Sequence, residues 1–311
     1  MGTHRIGIIG LGKIAQDQHL PVIAKNPAFT LAAVSSQRGL TAGEALAFRD
    51  HRTLLADTPQ LDAVAVCTPP QARYSIARDA LNASKHVMLE KPPAATLAAL
   101  ADLERVAAER GRVLFTTWHS QYNRGVDEAR RRLAGKTVTR LFVEWKEDVR
   151  KWHPGQAWVW RAGGFGVFDP GINALSIVTK IMPEAVTVRS AELFVPANAE
   201  APIAANLAFS VAGMEGDFSA RMDWRPIDKD IWEIIVETAD GMRLHLASGG
   251  ARLAVDGTIE VEEKPAEYEA IYHHFDRLLK TGTSHVDAAP FRLVADAFLL
   301  GRRDEVEAFE E

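Results

Sequence analysis

Residues 5–15 read RIGIIGLGKIA: a short apolar run that ends in a glycine turn and continues into a helical stretch. Gly10, Gly12 and Ala15 fit the spacing G-x-G-x-x-G/A, and each small residue has a physical reason. The first allows a tight turn, the second lets a pyrophosphate approach the backbone, and the third lets helix and strand pack closely. The helix that opens here offers unpaired N–H groups to phosphates. The turn, with Lys13 and Ile14 between its small residues, is therefore a candidate dinucleotide site. A glycine pattern alone is weak, but a strand before it and a helix after it supply the confirming context. Pro21 lacks an N–H and clashes one turn back, which predicts that this helix does not run far.

Outward from the turn, strands and helices alternate. Residues 30–34 form a second strand ending in Ser35, Ser36, Gln37 and Arg38. Sites for NAD place an acid here to hold the ribose 2′-hydroxyl, whereas an arginine accommodates a 2′-phosphate. No Asp or Glu follows until Glu44. Ser36, Gln37 and Arg38 therefore favour NADP, with NAD as the weaker alternative; Arg38 also reads as a solvated loop charge. Residues 41–48 read as helical, and 62–67 as a strand ending at Cys67. Thr68, Pro69 and Pro70 follow, then a helix with Ile76, Ala77, Ala80 and Leu81 on one face. Residues 85–93, KHVMLEKPP, form a short strand that delivers Glu90 and Lys91 to its carboxyl end, where open parallel sheets bind ligands. Leu97, Leu100, Leu103, Val106 and Ala107 mark the next helix, and Gly111 closes it. A strand at 113–116 completes a parallel, doubly wound sheet over residues 1–120.

Residues 121–311 read differently. Alternation at 141–145, at Phe218, Ala220, Met222 and Trp224, and at Trp232, Ile234 and Val236 marks strands of period two. Asp240-Gly241 and Asp256-Gly257 between such runs are hairpin signals. Tyr268, Ile271, Tyr272, Phe275, Leu278 and Leu279 make an amphipathic helix closing near Gly282, and a last helix follows Pro290. The second domain is thus expected to be a large, open, mostly antiparallel sheet with helices.

Composition narrows the function. A hydrophobic content of 47% and a charged content of 25% are ordinary for a globular protein. The net charge of -5 argues against a nucleic-acid binder, which would show a basic face. One cysteine, Cys67, excludes an intrachain disulfide, and no Cys-rich metal pattern is present, so no metal is expected. The first residues, MGTHRIGIIG, lack a signal pattern and no stretch reaches the length of a membrane span, which points to a cytoplasmic protein.

The residues GLGKIA with His19-Leu20-Pro21, Thr68-Pro69-Pro70, Lys85-His86-Val87 and above all Glu90-Lys91-Pro92 resemble the Gfo/Idh/MocA oxidoreductases. The resemblance continues through Gly163-Gly164 and Asp169 and covers most of the chain. It implies a Rossmann domain followed by an open antiparallel sheet, with Lys91 beside the nicotinamide and a cis bond to Pro92. It also implies cofactor contacts at Cys67, Thr68, Pro69 and Glu90, and a catalytic-pocket role for Asp169. By its residues alone, Asp169-Pro170 reads equally as a helix cap followed by proline at the first helical position. The family places a His four residues beyond the Asp; this chain has Asn173, which hydrogen-bonds but does not titrate. That departure suits sugar 1-dehydrogenases of the L-arabinose and D-galactose type better than inositol dehydrogenases. Many relatives carry a His where Arg73 stands, and Arg73 reads as a phosphate contact or as an exposed helix arginine.

The expected reaction is NADP-linked oxidation of an aldose at C1. Asp169 is the expected proton acceptor and Lys91 its electrostatic partner, with the reverse assignment open. His119, Glu147, His153 and Asn173 are candidate hydroxyl ligands, His119 also serving the nicotinamide side. Trp152 and Trp232 are candidate stacking walls, although with seven tryptophans in the chain most are expected in the core. The alternatives are another sugar or polyol dehydrogenase of the family, acting on a secondary hydroxyl, and a non-catalytic cofactor-sensing regulator. The expected partner is a small sugar, and an exposed sheet face is a candidate surface for a homodimer.

Overall fold

The computed structural model describes residues 3–264 and 266–310. Its contacts cluster into two compact units, residues 1–119 with 267–288 and residues 120–266 with 289–311. Among the described residues the first unit holds six parallel strands, β1 (His4–Ile9), β2 (Phe29–Ser35), β3 (Leu46–Phe48), β4 (Ala63–Val66), β5 (His86–Leu89) and β6 (Leu114–Thr116). Their order, β3-β2-β1-β4-β5-β6, is that of the doubly wound dinucleotide fold. The sheet is buried on both faces, so β1, β4 and β5 are apolar runs rather than alternations (Ile6, Ile8, Val64, Val66, Val87, Met88 and Leu89 are inaccessible).

Three local expectations are corrected. Residues 41–48 do not form a helix. Gly43 sits at φ +52°, and Leu46, Ala47 and Phe48 pair in parallel with Ala33, Val34 and Ser35. Edge pairing outweighs the helix propensity of this Ala- and Leu-rich stretch. The helix comes after it, His51–Asp57, capped by Asp50. Pro21 does not end its helix either. A wide turn, Ala15–His19, precedes the helix Leu20–Lys25, so Pro21 falls in the first turn, where no intrahelical N–H is required. The third difference concerns residues 267–288, which the sequence order assigns to the second domain. The helix Glu267–Thr281 instead buries Ile271, Tyr272, Phe275 and Leu278 within the first unit. Phe275 stacks on Phe29 of β2 at 6.0 Å and on Phe115 of β6 at 5.9 Å. Burying each such ring contributes about 1.5–3 kcal/mol, which fixes the helix to this sheet.

Among the described residues the second unit is built on nine strands: β7 (Val138–Lys146), β8 (Val186–Pro196), β9 (Ala204–Val211), β10 (Asp217–Asp223), β11 (Ile231–Thr238), β12 (Arg243–Ala247), β13 (Arg252–Val255), β14 (Thr258–Glu262) and β15 (Arg302–Val306). Their order is β14-β13-β12-β11-β7-β10-β9-β8-β15. Most pairs are antiparallel, but β7–β10 and β8–β15 are parallel. Leu141, Val143 and Trp145 of β7 point to the covered face, the alternation expected of a sheet with one side buried. Helix Phe168–Ile181 packs closely there, since a Cβ on Gly171 would lie 2.4 Å from Met222 Sδ of β10. Asp240-Gly241 and Asp256-Gly257 join β11 to β12 and β13 to β14, as the hairpin signals predict. No sequence signal marked β15. Among the described residues no helix is long and apolar enough to cross a membrane, and no cluster of three potential ligands could hold a metal ion.

Candidate active site

In the first unit the site is built at the carboxyl ends of β1, β2, β4 and β5. Gly10, just beyond β1, has φ +94°, and an added Cβ would meet Thr68 at 2.8 Å; only glycine makes this turn. A Cβ on Gly12 would meet nothing within 4 Å, so the backbone there faces open space. Tight turn, open approach and buried Ala15 together fit a dinucleotide pyrophosphate, with Lys13 and Ile14 on the same turn. Lys13 pairs with Asp17. Past β2, Ser36 is buried while Gln37 and Arg38 are exposed. A second guanidinium arrives there that the sequence did not reveal. Arg49 lies over Gly39 and donates to the Gln37 carbonyl at 3.2 Å. Reading 41–48 as a helix hid it, because only the strand β3 carries Arg49 to the end of β2.

The Glu90-Lys91-Pro92 segment follows β5, and the Lys91–Pro92 peptide is cis. Glu90 points inward and is 3% exposed. His19 Nε2 lies 3.0 Å from Glu90 Oε1, to which the Tyr268 hydroxyl donates at 2.9 Å. The Lys91 N–H donates to the other oxygen at 3.2 Å. The second nitrogen of His19 meets the Tyr272 hydroxyl at 2.8 Å, and Cys67 Sγ lies 3.6 Å from Nε2. Burial opposes charge on Glu90, but the His19 hydrogen bond and the positive charge of His19, His119 and Arg73 hold its carboxyl down to about 2. Burial likewise opposes charge on His19, yet its hydrogen bonds to Cys67 and Glu90 carry it well above the ordinary imidazole range. The pair is a buried imidazolium and carboxylate. Burial also pushes the Tyr272 hydroxyl up to about 12, so it stays a neutral partner.

Arg73 is placed differently from a phosphate contact or an exposed helix charge. It is buried, donating to the Glu90 carbonyl at 2.6 Å and to the carbonyls of Pro92 and Thr68. It ties the Thr68-Pro69 turn to the lysine-bearing segment from below. Lys91 itself is half-buried. His119 lies against Glu267 at 3.1 Å and stacks on Tyr268 at 5.9 Å. Burial lowers its affinity for a proton, Glu267 and Glu90 raise it, Lys91 opposes it, and the net direction is upward. A cavity of about 340 Å³ at the opposite ends of β4 and β5 is lined by Lys85, His86 and Arg112. Lys85 there donates to the Pro59 and Leu61 carbonyls at 2.6 and 2.9 Å, tying the loop before β4 to the start of β5.

In the second unit the remaining candidates gather around helix Phe168–Ile181. Its N-cap is Val167, so Asp169 is not the cap but lies inside the first turn, 3% exposed. The carboxylate faces His153 Nε2 at 3.4 Å. His153 caps the carboxyl end of the short helix Val149–Trp152, whose Asp148 N-cap accepts from the Arg150 N–H at 3.0 Å. The imidazole meets the buried Trp224 edge-on at 5.0 Å. Glu147 does not stand open to a ligand; it is buried and accepts from Trp224 Nε1 at 3.2 Å and Trp232 Nε1 at 2.8 Å. Trp232 stacks on Trp145 at 6.1 Å and tilts against Trp152 at 5.6 Å, both Trp152 and Trp232 remaining half-buried. Asn173 is half-buried one turn beyond Asp169, on the same helix face. His19, Glu267, Tyr268, Tyr272 and Trp224 had no site role by sequence. Tyr268, Tyr272 and Trp224 sit in apolar patterns that read as core, whereas His19 and Glu267 stand in polar stretches with no local mark of a partner.

Comparison with known proteins identifies the family and the fold. Residues 4–118 match the model of the oxidoreductase family with an NAD-binding Rossmann fold, GFO_IDH_MocA. Across 98% of both chains the protein is 46% identical to galactose 1-dehydrogenase of Pseudomonas fluorescens. A solved D-galactose-1-dehydrogenase from Rhizobium etli superposes with a TM-score of 0.94 at 49% identity, covering 100% of this chain and 99% of the other. A 3-ketoreductase from Actinomadura kijaniata, solved with NADP and TDP-benzene, has a TM-score of 0.82 at 18% identity over 98% of this chain and 100% of its own, a likeness of fold alone. The chain belongs to the Gfo/Idh/MocA family of NAD(P)-dependent oxidoreductases.

Proposed function

We propose that this chain oxidises an aldose at C1 to the aldonolactone, with D-galactose and L-arabinose as substrates and NADP preferred over NAD. The observation that carries the reading is the buried Asp169 carboxylate set against His153 rather than capping a helix. Support comes from two relatives of essentially full length, both galactose 1-dehydrogenases by name. D-Galactose and L-arabinose share their configuration from C2 to C4, so a pocket that reads those hydroxyls accepts both.

The oxidised cofactor supplies the hydride acceptor when bound. The protein must then position the sugar and take the proton of the C1 hydroxyl as the C1–H bond breaks and the carbonyl forms. Asp169 accepts that proton, and His153 beside it shares the charge change. Lys91 presents a cation to the developing alkoxide, an interaction stronger in the transition state than in the ground state. Asn173 and His153 hydrogen-bond sugar hydroxyls, and Trp152 and Trp232 cover the apolar face of the ring. His119, which stacks on Tyr268 in the same unit as Lys91, serves the nicotinamide side. Arg38 and Arg49 at the end of β2 bind the 2′-phosphate of NADP. The half-exposed face of the nine-stranded sheet, where Arg140 and Arg221 lie over Phe142, is assigned to a homodimer, which a monomeric mass by light scattering would remove.

The test is the initial rate of NADP and NAD reduction with D-galactose, L-arabinose, D-glucose and myo-inositol. The reading expects the first two sugars to be fastest and NADP to be favoured. Faster turnover of myo-inositol would favour a polyol dehydrogenase, and tight NADP binding without turnover of any sugar would favour a sensor.

A further inference from the structure

Glu147 directly follows β7, and its two oxygens face two different indoles, Trp224 Nε1 at 3.2 Å and Trp232 Nε1 at 2.8 Å. An indole N–H only donates, and each oxygen of Glu147 accepts one, so a single buried carboxyl group satisfies both rings. The two rings lead in different directions. Trp232 belongs to the aromatic wall, packed between Trp145 and Trp152. Trp224 leads to the proton-handling pair: its ring meets His153 at 5.0 Å, and its carbonyl accepts from the Val149 N–H at 3.3 Å. The Val149 carbonyl in turn accepts from the His153 N–H at 2.8 Å, and His153 Nε2 reaches Asp169 at 3.4 Å. A chain of contacts therefore runs Trp232, Glu147, Trp224, His153, Asp169, all within one unit.

We propose that Glu147 is a positioning residue, fixing through Trp224 the imidazole that meets Asp169 and through Trp232 the wall on which the sugar rests. This deepens the sugar-dehydrogenase reading and rests on it for its kinetic consequences. An amide in place of the carboxylate turns a donor toward one of the two indoles, so E147Q should release at least one ring while keeping the volume.

The expected result for E147Q is a sugar KM raised about ten-fold and a kcat lowered about ten-fold, with the cofactor Kd unchanged. Trp224→Phe keeps an aromatic ring but removes the N–H, and the double variant should be no worse in kcat than the more impaired single one, because both interrupt the same chain. Wild-type kinetics in E147Q, or fully multiplicative losses in the double variant, would overturn the proposal. A second readout does not need turnover. In protein labelled with ¹⁵N at tryptophan, the Trp224 and Trp232 indole protons should exchange slowly with solvent, and at least one should exchange about ten-fold faster or more in E147Q. Unchanged exchange at both would refute the clamp. Absence of turnover in the wild type would instead fell the proposed function, leaving the exchange data to decide the clamp.

Discussion

Replacing Glu90 with Gln removes the anion of the buried pair while preserving shape. The native carboxyl is held at about 2 against an ordinary 4.5, and the side chain is 3% exposed, so solvent screening is weak. That displacement corresponds to about 3 kcal/mol of preference for the charged form. Losing one partner of a buried ion pair costs a similar amount, about 3–5 kcal/mol. We therefore expect Glu90→Gln to destabilise the first unit by about 3 kcal/mol, a fall in Tm of roughly 6–12 °C. The sign of the pH dependence follows from both partners. Glu90 has a lowered folded value, so its contribution is present above about pH 4.5 and lost as the pH falls toward 2. His19 has a raised folded value, so its contribution is complete below about pH 6.5 and lost as the pH rises through its folded value. The deficit of the variant should be greatest near pH 5.5 and shrink above neutrality, by at most about 1.4 kcal/mol per pH unit. Calorimetry of wild type, Glu90→Gln, His19→Gln and the double variant at several pH values checks this. A deficit below about 1 kcal/mol near pH 5.5, or strictly additive single losses, would refute the buried pair.

Asp169→Asn should lower kcat by about 10²–10⁴-fold with little change in cofactor Kd, as expected for a lost general base; an equal loss of cofactor affinity would make the carboxylate structural. Lys91→Ala should likewise reduce turnover far more than NADP affinity, and stopped-flow rates with fluorescence titration separate the two. Arg38→Ala and Arg49→Ala should each weaken NADP binding by about ten-fold, one charge-assisted contact to phosphate, while leaving NAD binding unchanged. Unaltered NADP preference in both would remove the 2′-phosphate assignment. Gly10→Ala, forced to φ +94° and to within 2.8 Å of Thr68, should cost about 1–3 kcal/mol and weaken cofactor binding, as read by thermal denaturation and titration.

The Rossmann unit was largely legible because its signals are local. A glycine turn after a strand, apolar runs separated by helices, and a strand ending in Glu-Lys-Pro each lie within a dozen residues. What failed to show depends on pairing between distant segments. Strand β3 exists because β2 offers it an edge, so its Ala- and Leu-rich residues read as helix and concealed Arg49. The cage of Glu90 joins residues 71 and 178 positions away, His19 and Tyr268, and nothing in a period-3.6 stripe distinguishes a tyrosine with a carboxylate partner from one that merely fills space. Arg73 was misread for a related reason, since its carbonyl acceptors come from two segments, Thr68 beside its own helix and Glu90 to Pro92 beyond the next strand. In the second unit the hairpins were evident from Asp-Gly pairs, whereas the parallel pairings β7–β10 and β8–β15 join segments far apart in sequence, and alternation marks a strand without naming its neighbour. Asp169 could not be separated from a helix cap until the helix was seen to begin two residues earlier.

The most direct test of the central claim uses D-galactose labelled with ¹³C at C1, incubated with the enzyme and NADP and followed by NMR. The account predicts loss of the anomeric C1 signals and growth of a lactone carboxyl carbon, with one reduced cofactor formed per sugar consumed. Cofactor reduction with C1 still at the aldehyde oxidation level would place the oxidation at another carbon and contradict it.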